Sequence, residues 1–111
     1  MAINQSQRAT WPNEALVAMT SMAVNKITTL TENPVIIIFD NQGVNNVAIS
    51  VNDSTGTNVW HTFPGGEACV LDLRTQHGLA ANFTADIGTT FYGAGTTGDS
   101  FSISYVAALD V

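Results

Sequence analysis

Val35-Ile36-Ile37-Ile38-Phe39-Asp40-Asn41-Gln42-Gly43, followed by Val47-Ala48-Ile49-Ser50-Val51, decides the fold of this chain. The first stretch is an unbroken apolar run, rich in β-branched side chains, that stops at an Asn-Gln-Gly turn. In the second, Val47, Ile49 and Val51 alternate with Ala48 and Ser50, the period of a half-buried strand. An exposed edge made of Val35–Phe39 would invite aggregation, so the run is expected at the centre of a sheet with both faces covered.

The same signals continue on both sides. Downstream, Asp53-Ser54-Thr55-Gly56 turns the chain and Asn58–Phe63 reads as a strand ending at Pro64-Gly65-Gly66. Cys69, Leu71 and Leu73 alternate before the softer loop Arg74–Gly78. Asn82-Phe83-Thr84 reads as a short strand, and Thr89–Tyr92 as the next. Near the end Phe101, Ile103, Tyr105 and Ala107 alternate with Ser102, Ser104 and Val106. Upstream, Ile27–Thr31 is β-branched and is broken by Glu32-Asn33-Pro34. Residues 15–24 are ambiguous, because Ala, Leu and Met favour helix while Thr and Val favour strand, and a short helix stays open there. Residues 1–14 are polar, carry Trp11-Pro12 and read as an arm. The expectation is an all-β protein, an antiparallel sandwich or jelly roll of seven or eight short strands, with arm 1–14 and a single domain over 15–111.

A chain of 111 residues holds one domain of ordinary size and buries roughly 65% of its unfolded surface. Only 11% of the residues are charged, against about 25% in an average soluble domain, so the surface is largely neutral and polar. The cations are Arg8, Lys26 and Arg74, and the formal net charge is −6. Phosphate binding needs clustered Lys and Arg, so nucleic acid is not an expected partner. Cys69 is the single cysteine, which rules out an intramolecular disulfide, and it reads as a small buried hydrophobe. The first residues lack the basic-then-apolar order of a secretory signal, and no apolar run approaches the roughly 20 residues of a membrane span. The expectation is a soluble protein made in the cytoplasm, with no membrane partner.

Chemical motifs are sparse. Gly93-Ala94-Gly95-Thr96-Thr97-Gly98 matches the dinucleotide fingerprint by letter, but a strand pattern follows where a phosphate-binding helix is required. It reads as a glycine-rich hairpin loop, and no cofactor is expected. His61 and His77 have no ligand-spaced neighbour, so no zinc site is expected. Asp40, Asp53, Asp72, Asp86 and Asp99 fall at or near turns, where a carboxylate bonds to nearby backbone; calcium bridging lacks a supporting spacing. No nucleophile elbow places a catalytic triad. Trp60 is expected in the core. Trp11, in a polar segment beside a proline, is the better exposed anchor, since interface hot spots favour Trp. Asp72 and Arg74 share one face of a strand and either pair with each other or reach a neighbour. The interface candidates are therefore Trp11 and Arg8 in the arm, and Asp72 and Arg74 on the strand.

Val35–Gly43, Pro64-Gly65-Gly66-Glu67, Leu71-Asp72-Leu73-Arg74, Gly88–Tyr92 and Ser102-Ile103-Ser104-Tyr105 together resemble small virion structural proteins of tailed bacteriophages, above all capsid decoration, or cement, proteins. The resemblance spans roughly residues 35–107 and rests on framework and turn residues. It implies a sandwich or jelly roll, a homo-oligomer that is often a trimer, and a place on the outer surface of the head. There it would stabilise the shell by bridging major capsid subunits. The alternative is a tail, fibre or head-spike domain that stacks host-surface sugars on Tyr92 or Trp60. An enzyme is the least supported reading.

Overall fold

The computed structural model describes residues 10–73 and 85–107, with side chains from Ala15 onward. Eight strands are present among them: β1 (Thr10–Ala18), β2 (Asn25–Thr29), β3 (Pro34–Asn41), β4 (Val47–Val51), β5 (Val59–Phe63), β6 (Ala68–Asp72), β7 (Thr90–Ala94) and β8 (Ser100–Ala107). They form two antiparallel four-stranded sheets, ordered β1-β8-β3-β6 and β2-β7-β4-β5. The pairs β1 with β8, β2 with β7, β3 with β6 and β4 with β5 describe one long hairpin, and the pairings β3–β8 and β4–β7 roll it into two sheets. The chain is all-β, a sandwich with jelly-roll winding.

Alternation built this core. Phe101, Ile103, Tyr105 and Ala107 of β8 all face inward and are buried. Ile103 lies between Ala15 of β1 and Phe39 of β3, which puts Phe39 at the middle of the first sheet. From there Phe39 reaches Phe63 at 5.3 Å, Phe91 at 5.5 Å and Trp60 at 5.3 Å, all on the second sheet. Truncating a ring so placed to alanine costs about 3–5 kcal/mol. Trp60 itself is half-buried and packs against the cluster, as expected of a core-side residue. Among the described residues no buried side-chain nitrogen or oxygen lacks a hydrogen-bond partner.

Three expectations need correction. The segment left open to a helix is strand through Ala18, because pairing with β8 overrides the helical preference of Ala and Leu. Ala15 and Val17 pack toward the core while Leu16 is 58% exposed, a period of two. The strand begins at Thr10, within the stretch expected as an arm, and its register shifts between Thr10 and Asn13, around Pro12. Second, Val35–Phe39 is central, but only one of its faces is covered. Ile37 and Phe39 are fully buried, whereas Ile36 and Ile38 are half-exposed on the outer face of a two-layer sandwich. Third, the glycine-rich segment is not a hairpin, since β7 and β8 belong to different sheets. Gly93 is a β7 residue facing inward, where an added Cβ would lie 2.9 Å from Ile27 Cδ1. Gly95–Asp99 then arches between the layers, and a strand follows it.

Candidate interaction surface

Strand order brings four connections to one end of the sandwich: β1–β2, β3–β4, β5–β6 and β7–β8. Asn41, the fully buried last residue of β3, organises two of them. Its side-chain amide donates to the carbonyls of Asn45 (2.9 Å), Phe63 (2.9 Å) and Pro64 (3.1 Å), and its Oδ1 accepts from the Gly43 N–H at 3.0 Å.

Asp99 links the β7–β8 arch to the β3–β4 loop. Its carboxylate accepts from the N–H groups of Val44 (3.4 Å) and Asn45 (3.1 Å) and from the Asn45 side-chain amide (2.9 Å). The Asn45 amide is the main reason that the Asp99 carboxyl titrates below the usual carboxylate range; the two backbone N–H groups add to it, and partial burial opposes it. Gly43 is required at this contact, because an added Cβ would come within 2.3 Å of Asp99 Cβ. On the far side, Ser21 and Thr97 exchange bonds: the Ser21 N–H donates to Thr97 Oγ1 at 2.8 Å and the Thr97 N–H to Ser21 Oγ at 2.7 Å.

These tied loops hold two exposed apolar side chains. Met22 is fully solvent-exposed and sits in the left-handed backbone region at φ 61°; Val44 is 85% exposed. Met22 borders an open groove of about 380 Å³ that is also lined by Ala23, Val24, Asn46, Gly95 and Thr96. A rigid, neutral rim around an apolar side chain is suited to contact with another macromolecular surface, since little order is lost on binding.

The side of the sandwich where β5 and β6 form the edges carries the other chemically distinctive residues. His61 lies edge-on to Phe63 at 4.5 Å, with Nε2 4.0 Å from Glu67 Oε1. Cys69 is half-buried opposite Phe39, and burial, helped by the Glu67 charge, pushes its thiol pKa up, so it is a poor nucleophile at neutral pH. Among the described residues no three His, Cys, Asp or Glu side chains converge as metal ligands. Asp53 serves its own turn, accepting from the N–H groups of Thr55 (3.0 Å) and Asn58 (2.8 Å).

Of the four interface candidates, Arg8 and Arg74 lie outside the described residues, as do His77 and Asn82–Thr84. Trp11 is a backbone member of β1, at its register shift. Asp72 closes β6 opposite Ile36, half-exposed on the outer face. Of the rings named as sugar platforms, Trp60 packs on Phe39 and Phe63, and Tyr92 is half-buried in β7 between Lys26 and Ser50. Met22 and Val44 were missed by residue type alone. Val44 did carry a signal, being a lone aliphatic residue in the turn-forming run Asn41-Gln42-Gly43-Val44-Asn45-Asn46. Comparison with protein-family models, with curated proteins and with solved structures finds no match for this chain.

Proposed function

We propose that this chain is a structural binding module without turnover, a decoration protein on the outer surface of a tailed-phage head that bridges major capsid subunits. The observation that carries the reading is Met22. A residue with a Cβ in the left-handed region is strained, and Asn or Gly is the usual occupant; Met22 packs on nothing in its own chain that would compensate. A strained apolar side chain held out on tied loops is explained by a partner surface. Low charge supports the same reading, because a broad contact can then form without desolvating many ions. The resemblance of residues 35–107 to cement proteins supplies the identity of that partner.

The test is cosedimentation of the full chain with assembled, DNA-filled heads and, separately, with free major capsid protein of the same virion. Saturable binding to heads with little binding to free subunits is the expected result. Equal binding to both, or binding to neither, would overturn the cement role.

A further inference from the structure

We infer that β6 is a self-pairing edge, through which two copies of this chain join antiparallel about a twofold axis at Val70, making the β1-β8-β3-β6 sheets of both copies continuous. Among the described residues the sandwich has four edge strands, and three of them are interrupted. β1 contains Pro12 and a register shift around it; β2 carries Lys26 and a shift between Lys26 and Thr28; β5 has an extra residue, Trp60, between its partners opposite Ile49 and Ser50. Such breaks and charges are what keeps edges from pairing. β6 has no such break, because Ala68–Asp72 pairs with β3 over five consecutive residues without a shift and contains no Lys or Pro, and its one charge, Asp72, stands at the end of the strand.

The register fixes which backbone groups point outward. The Leu73 N–H donates to Val35 O at 3.0 Å and the Asn41 N–H to Glu67 O at 2.9 Å. Hydrogen-bonded pairs in an antiparallel ladder recur every second residue, so Glu67, Cys69, Leu71 and Leu73 face β3. Ala68 and Val70 therefore turn their N–H and C=O groups away from the sheet, and both residues are exposed, Val70 at 60%. An extended strand is the group that satisfies such an edge, and this one is complementary to itself: with Val70 opposite the partner's Val70, the two exchange a pair of N–H···O bonds.

Charge permits the arrangement despite a net −6 on each copy. The same twofold puts Ala68 opposite the second copy's Asp72, so the two Asp72 carboxylates stand about 14 Å apart along the strands, beyond the roughly 8 Å screening length of physiological salt. The outer face at the twofold is apolar, with Ile38 beside Val70; one row away on one side lie Ile36 and Val106 next to Asp72, and on the other Asp40 lies beside Ala68. The joint makes a dimer, where the resemblance to cement proteins implies a trimer, and it does not depend on head binding, whose contacts lie at the Met22 end.

Light scattering of the full chain over a concentration series tests it, alongside Val70→Pro, Val70→Lys and Val70→Thr. Proline removes the outward N–H without breaking a bond to β3, lysine puts like charges directly opposite each other, and threonine keeps the β-branched side chain and the N–H. Wild type and Val70→Thr should rise with concentration toward twice the 11.7 kDa monomer mass, and the other two should stay at it with unchanged circular dichroism. Amide exchange at Val70 should slow as concentration rises while exchange at Cys69 and Leu71 does not change. That readout stands if Val70→Pro fails to fold. A wild-type mass fixed at the monomer, a trimer, or an oligomer that survives both Val70→Pro and Val70→Lys would overturn the inference.

Discussion

Asp99 and Asp53 hold matching roles at opposite ends of the sandwich. Each is an aspartate in a turn that accepts from two backbone N–H groups and one side chain, and each titrates below the usual carboxylate range. They differ in reach. The bonds of Asp99 span 54 and 55 residues of sequence, while those of Asp53 span 2 and 5. One carboxylate ties two loops from distant parts of the chain, and the other closes its own turn. A second contrast follows the same division. Among the described residues, the non-glycine positions with positive φ are Met22 and Asn52. Asn52, at the Asp53 end, is a residue type that tolerates the conformation, and its Oδ1 accepts from the Thr90 N–H at 2.7 Å. Met22 has neither advantage. Asp99 and Asn41 tie distant loops at the end where an apolar side chain is held in an unfavourable conformation, an arrangement suited to a preformed contact surface.

The largest effect that would sharpen this contrast is at Asn41. Asn41→Ala strips bonds from three carbonyls and from the Gly43 N–H at a fully buried position. The expected loss is about 2–4 kcal/mol, a fall in Tm on the order of 10–20 °C by thermal circular dichroism. A fall under about 3 °C would mean that the β3–β4 and β5–β6 connections are not organised through this residue. Next, Asp99→Ala should lower Tm more than Asp53→Ala, since it releases two connections and the second releases one. Equal losses would erase the distinction between the ends.

Acid should act through the same groups. Both carboxyls have folded pKa values depressed below the unfolded value of about 4, so the stability they lend is fully present above that value and is lost as pH falls through the folded pKa. Tm should be level above about pH 5 and decline below about pH 4. In Asp99→Asn the decline should be shallower than in wild type, from a lower starting Tm at neutral pH. An unchanged acid decline would assign the linkage to other carboxylates.

Much of the fold was legible because a two-layer sheet leaves a period-two record. The alternation of β8, the central position of Val35–Phe39 and the turn roles of Asp53 and Asp99 all follow from local residue order. Strand pairing did not, because β1–β8 and β3–β6 join residues far apart, and nothing local specifies them. The helix left open over residues 15–24 failed for the same reason: Ala15-Leu16-Val17-Ala18 becomes strand only because β8 offers it a ladder. The outer face of β3 was misjudged by treating a continuous apolar run as proof of two covered faces, when Ile36 and Ile38 are half-exposed. The loop-end surface was the least legible part. Met22 is set apart by its backbone angle and exposure, neither of which residue identity reports, and Asn41 reads in sequence as one turn residue among several.

The central claim is that the strain at Met22 is kept for a contact, and Met22→Gly tests it most directly. Glycine adopts the left-handed conformation without a Cβ penalty, and no packing is lost because Met22 is fully exposed. The variant should be more stable by about 0.5–1 kcal/mol, which raises Tm by a few degrees. In the cosedimentation assay it should at the same time bind DNA-filled heads at least tenfold more weakly, the order of effect for an interface anchor. A variant that gains stability and binds heads as tightly as wild type would contradict the account, leaving Met22 a strained residue with no contact to explain it.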